Sequence, residues 1–130
     1  MPRCGAARVR LLGQQCLDLL DQAAQMKRLA ASDAGASVHL YHVRFDAGAR
    51  TNWHSHSGPQ WLFIVSGRVR VQRWGEPPVD VSEGDAVLFN PGEKHWHGAV
   101  PGGSGAHLAV NVNAKTTWLE PVSDEDYNRA

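Results

Sequence analysis

Only two cysteines occur in the 130 residues, Cys4 and Cys16. Two thiols in one N-terminal segment are too few for a disulfide framework, and a reduced, cytoplasmic setting is the natural expectation. No apolar run approaches the ~20 residues that a membrane span needs. Gln14, Gln15 and Asp18 interrupt the first apolar stretch, which removes the signature of a signal-peptide core. Neither sign of charge prevails, because 13 Lys and Arg offset 13 Asp and Glu. Without a block of like charge, the chain offers neither a nucleic-acid footprint nor a polybasic membrane patch. Histidine is the residue in excess: there are seven, and five fall between His54 and His107.

The length suits one domain with one core. Val9, Leu12, Cys16, Leu19, Leu20, Ala23, Met26 and Ala30 recur at three- and four-residue intervals. That period predicts an amphipathic helix within residues 11–31, its stripe a packing face. SDAGA, residues 32–36, then breaks the pattern. From Ser37 the texture is that of short strands: SVHLYHVRF, QWLFIVSG, RVRVQRW, DAVLF, HLAVNV and TTWLEPV, joined by Gly- and Pro-rich connectors. Ser123, with Asp126 three residues on, can cap a short C-terminal helix. The expected organisation is a helical extension over 1–36, an antiparallel sandwich or barrel over 37–122 and a tail over 123–130.

Side chains alternate across a strand, so His54 and His56 share one face, their Cα atoms ~6.6–6.8 Å apart. Two imidazoles so placed can converge on one ion at bond lengths of ~2.0–2.2 Å. Ser57, Gly58 and Pro59 turn the chain, and Gln60 begins the returning strand beside them. HWH then supplies His95 and His97 on another shared face. His54, His56 and His95, with Gln60 as fourth donor, make a nitrogen-and-oxygen set for one divalent transition metal: manganese, iron, nickel, cobalt or zinc. His97 is read as a pocket wall or a partner to a ligand.

These residues resemble the cupins. Gly48, ARTNW, His54-Ser55-His56, SGP, Gln60, WLFIVS and Gly67 follow the first cupin motif, and Gly84, DAVLF, Asn90, Pro91, Gly92, EK and His95 follow the second. Gln60 stands where glutamate is usual, and Asn90 where proline is. The resemblance covers roughly residues 37–120 and implies an all-β fold, a double-sheet β-barrel, forming a homodimer. GARTNWHSHSGPQ, GEKHWHGAVP and AHLAVN are similar to the bacterial cupin hydroxynitrile lyases. That likeness implies a manganese ion on His54, His56, Gln60 and His95, and cleavage of a cyanohydrin to an aldehyde and hydrogen cyanide. It implies His107 as the base, with Tyr41, Val43 and Asn111 lining the substrate pocket.

The residue pattern agrees with parts of this. His107, Ala109 and Asn111 share one strand face, and an unperturbed imidazole pKa of ~6.5 suits a base near neutrality. Phe45, Leu62 and Ile64 would give an apolar cavity for a small molecule. Thr51, Tyr41, His97 and Asn111 are candidates to orient a substrate. Two other readings stand beside lyase chemistry. One is an iron- or manganese-dependent dioxygenase, which the loss of a carboxylate at Gln60 disfavours. The other is a non-catalytic small-molecule binder, because one fold hosts many functions.

Overall fold

The computed structural model describes residues 24–32 and 35–129. Nine strands and one short helix run in the order β1 (Ala24–Ser32), β2 (Val38–Phe45), β3 (His54–His56), β4 (Gln60–Arg73), β5 (Val79–Ser82), β6 (Ala86–Phe89), β7 (His95–Ala99), β8 (Gly105–Val112), β9 (Thr116–Trp118) and α1 (Asp124–Tyr127). Among the described residues every strand pairing is antiparallel, and the path β1-β2-β8-β4-β7-β3-β9 curls into a barrel. The alternating runs leave a sandwich or a barrel open, and the fold is the all-β barrel that the cupin resemblance implies.

β4 joins the two sheets. Its first half, from Gln60, pairs with β8 and β6; its second half pairs with β7 and β5. The runs QWLFIVSG and RVRVQRW are thus one strand, not two strands about a turn. The chain bends at a register shift between Ile64 and Ser66 and at Gly67, whose φ is +61°. A Cβ at Gly67 would lie 2.3 Å from the Ser104 carbonyl oxygen, so only glycine fits this crossing of chains.

The expected N-terminal helix is corrected over residues 24–31, which lie in β1. β1 pairs with β2 along its length, Met26 opposite Val43 and Arg28 opposite Tyr41. The register slips between Arg28 and Ala30, leaving Leu29 over as a bulge residue. That extra residue changes the side-chain phase, so apolar positions at mixed spacings serve a strand. The open hydrogen-bonding edge of β2 outweighs the local preference. The remainder of the stripe, residues 11–23, lies outside the described residues. Because β1 joins the sheet, the sheet begins before residue 37.

Inward alternation builds the core. Tyr41, Val43 and Phe45 of β2 meet Leu62 and Ile64 of β4, and Val69, Val71 and Phe89 extend the cluster. A second cluster of Trp53, Trp96, Val122 and Tyr127 closes the far side. Trp53 and Trp96 are buried, whereas Trp61, Trp74 and Trp118 are exposed. The C-terminal helix forms as its cap predicts: Ser123 Oγ accepts from the Asp126 N–H at 3.0 Å. Among the described residues no helix is long and apolar enough to cross a membrane.

Candidate metal centre and active site

β3 lies between β7 and β9, and this order assembles the histidines. His54 is registered opposite His95 on one side and Trp118 on the other, and His56 opposite Thr116. Gln60 opens β4 directly after the turn and sits opposite Asn111 of β8. His54, His56, Gln60, His95, His97 and His107 are all buried. The imidazoles crowd together: ring centroids of His54 and His95 are 4.4 Å apart, and those of His54 and His56 are 5.0 Å apart.

Main-chain carbonyls fix two tautomers. His54 Nδ1 donates to the Asn52 carbonyl and His95 Nδ1 to the Glu93 carbonyl, each at 2.8 Å. A carbonyl oxygen can only accept, so each Nδ1 carries the proton and each Nε2 presents a lone pair. His95 Nε2 lies 3.2 Å from Gln60 Oε1. Both atoms are acceptors, and they have no proton to share. His56 Nδ1 is tied to Thr116 Oγ1 at 2.8 Å, and its buried Nε2 has no partner. Phe89 stacks on His95 at 3.7 Å and holds the ring in place.

Protonation cannot relieve this crowding at neutral pH. Burial, then the neighbouring His56, pushes His54 down to about 3, with the Asn52 carbonyl opposing. Burial pushes His56 to about 4, with the Gln60 side chain opposing. Burial, then His54, pushes His95 to about 2. Buried lone pairs that neither accept a proton nor find a donor are costly unless a cation takes them. The donor set therefore fits a metal ion. His54, His95 and His97 each offer a nitrogen, and these nitrogens lie within 4.8 Å of one another; His56, expected among the ligands, is outside this group, and His97, expected as a pocket wall or a partner to a ligand, is inside it. Ligating imidazoles whose other nitrogen is held by a carbonyl or hydroxyl are the usual arrangement at such centres.

The centre opens into a cavity of about 240 Å³. That is a little below the ~300 Å³ at which ligand sites usually begin, so only a small molecule fits. Tyr41, Val43, Thr51, His97 and Asn111, all expected as substrate contacts, line it together with His54, His56 and Gln60. Met26, Ala109, Thr116 and Trp118 line it too. Ala109 shares the strand face of Asn111, as the alternation predicts; the other three have no such signal, because Met26 falls in the expected helix, and Thr116 and Trp118 reach the site only by non-local pairing of β9 with β3.

His107 stands behind His97. It is fully buried and does not line the cavity. Its Nε2 hydrogen-bonds His97 Nδ1 at 3.0 Å, and it meets the cavity through that ring. His97 Nε2 and His107 Nδ1 are buried without partners. Burial, then the His107 charge, holds His97 well below the ordinary imidazole range, and burial pushes His107 to about 4. Both rings are neutral at pH 7, so the near-neutral pKa expected for His107 is lost.

The cupin domain matches residues 41–112. Over 99 residues, 74% of this chain and 72% of the relative, the sequence is 44% identical to an (R)-mandelonitrile lyase of Granulicella tundricola. A cupin-like protein of Thermotoga maritima, 34% identical, superposes with a TM-score of 0.76 over 80% of this chain and 81% of that one. The polyketide cyclase RemF of Streptomyces resistomycificus shares the fold at 18% identity, with a TM-score of 0.64 over 82% of this chain and 76% of its own. Barrel, histidine pattern and sequence likeness agree, and the chain belongs to the cupin family as a small member resembling its hydroxynitrile lyases.

Proposed function

We propose that this cupin is a metal-dependent lyase that splits a cyanohydrin into an aldehyde and hydrogen cyanide. The observation that carries the reading is the cluster of buried lone pairs without an anionic donor, set at one cavity beside a buried imidazole pair. The likeness to a mandelonitrile lyase supports the substrate class. His54, His56, His95 and Gln60 would hold the ion. When bound, a divalent metal supplies Lewis acidity, undiminished by any carboxylate ligand.

The chain's own residues supply the rest. The cavity lining contains no Asp, Glu, Lys or Arg, which suits a neutral substrate. Met26, Tyr41, Val43 and Trp118 give the substrate's organic group an apolar wall and exclude water. Thr51 and Asn111 offer hydrogen bonds from the same cavity. His97 Nε2 takes the hydroxyl proton while its Nδ1–H donates to His107 Nε2, so the pair shares the incoming charge. The O–H electron pair becomes the carbonyl π bond, and the C–C bond breaks with its electrons on cyanide. Return of the proton from His97 to cyanide completes hydrogen cyanide and resets the pair.

The test is cyanide release from mandelonitrile by protein loaded in turn with manganese, iron, cobalt, nickel or zinc. Release above the buffer rate, lost on chelation and regained on reloading, is expected. No release with any of the five ions defeats the proposal.

A further inference from the structure

We propose that Asn111 is a positioning residue that decides which end of the Gln60 carboxamide faces the imidazoles. The inference rests on the reading of Gln60 as a metal ligand and adds what makes an amide serviceable there. A carboxylate has two equivalent oxygens, but a carboxamide has one oxygen and one NH₂, and only the oxygen can bind a cation. In this chain Gln60 Nε2 donates to Asn111 Oδ1 at 2.9 Å, which turns Oε1 toward His95 Nε2, 3.2 Å away. Gln60 is 4% exposed, so water does not set the choice. The antiparallel register, Gln60 opposite Asn111, is what brings the two amides together.

The opposite setting is also self-consistent. If both amides turn over, Asn111 Nδ2 donates to Gln60 Oε1 and Gln60 Nε2–H donates to the lone pair of His95. That arrangement satisfies the imidazole without an ion and puts a donor where the ion would sit. Asn111 therefore balances an open centre against a closed one. A side chain that only accepts removes the closed setting. One without polar atoms leaves Gln60 free to turn its NH₂ toward His95.

The experiment is a double-mutant cycle read by cobalt(II) affinity, with the visible absorption of bound Co²⁺ and competition by a chelator. Asn111→Leu should weaken binding about 10-fold or more, as loss of a partner to a ligand does. Asn111→Asp should bind at least as tightly as the wild type. In a Gln60→Glu background, where no end of the side chain is wrong, Asn111→Leu should cost less than about threefold. Circular dichroism and melting of each variant show that it is folded. An equal loss in both backgrounds, or no loss in either, overturns the assignment of Asn111 while the metal reading stands. A wild-type chain that takes up no Co²⁺ overturns both.

Discussion

His107 reaches the cavity only through His97, its Nε2 3.0 Å from His97 Nδ1. In the proposed reaction these two neutral imidazoles act in series as one base, with the proton acceptor at the cavity wall. His97→Ala and His107→Ala should each lower kcat for cyanide release by about 100-fold or more, the lower range for losing a general base. The double variant should be little worse than either single one, because the residues act as a unit. Metal content should stay at the wild-type level in His107→Ala, whereas a loss of metal in His97→Ala would place its nitrogen, one of the three gathered within 4.8 Å, on the ion and not on the substrate. Full activity in His107→Ala with none in His97→Ala would show that His97 works alone.

Metal removal should be felt as lost stability as well as lost activity. In the setting that the structure shows, His95 Nε2 and Gln60 Oε1 face each other as unshared acceptors, and His56 Nε2 has no partner. An ion that binds only the folded chain adds about 2.7 kcal/mol at a hundredfold excess over Kd. For a chain of this size that corresponds to a rise of roughly 10 °C in Tm. Calorimetry across a manganese titration, with calcium as control, measures it. A Tm that does not move with manganese means that no such ion is held.

How much of this was legible in the sequence differs from residue to residue. His54 and His56 were readable as one face because period two is a local property of a strand, and both side chains are buried while Ser55 between them is half-buried. The cap at Ser123 was readable for the same reason. β1 was misread because its bulge at Leu29 breaks the alternation that distinguishes a strand from a helix. His97 and His107 were both visible as inward-facing, but their order along the path to the cavity depends on barrel curvature. Trp118 had no local signal at all: its place beside His54, ring centroids 4.7 Å apart, is set by a pairing across more than 60 residues.

Acid should destabilise the metal-free protein before it reaches the carboxylate range. The buried imidazoles have folded-state values of about 3 for His54, 4 for His56, 2 for His95 and 4 for His107. In the unfolded chain each returns to ~6.5. Between these limits the unfolded state binds more protons, so stability falls as pH falls. The loss begins near pH 6.5 and is complete for His56 and His107 near pH 4, while His54 and His95 continue lower. Each histidine contributes a slope of up to about 1.4 kcal/mol per pH unit. Urea unfolding with chelator present at pH 7.5, 6.5, 5.5 and 4.5, chosen as about one-unit steps through this window, should show midpoints dropping below pH 6.5. A midpoint that stays level from 6.5 to 4.5 contradicts the burial of neutral imidazoles.

The C-terminal helix should matter to stability and not to chemistry. Tyr127 is 3% exposed, and its hydroxyl donates to the Ala99 carbonyl at 2.6 Å. Its ring lies under the Arg50 guanidinium at 4.2 Å and beside Trp96 at 5.7 Å. Arg70 holds the same tail by donating to the Tyr127 and Arg129 carbonyls. Ala99 belongs to β7, the strand that carries His95 and His97, so the latch touches the site's own scaffold. β7 is also paired to β4 along its length and bridged to β3 at His54, and those bonds remain when the latch is cut. Tyr127→Phe, which strands one carbonyl, should cost about 1–2 kcal/mol, and Tyr127→Ala about 3–5 kcal/mol. At 25 °C both variants should keep the wild-type metal stoichiometry and kcat, because the pairing of β7 holds the imidazoles. A fall in kcat larger than threefold in folded Tyr127→Phe would show instead that the helix tunes the centre through β7.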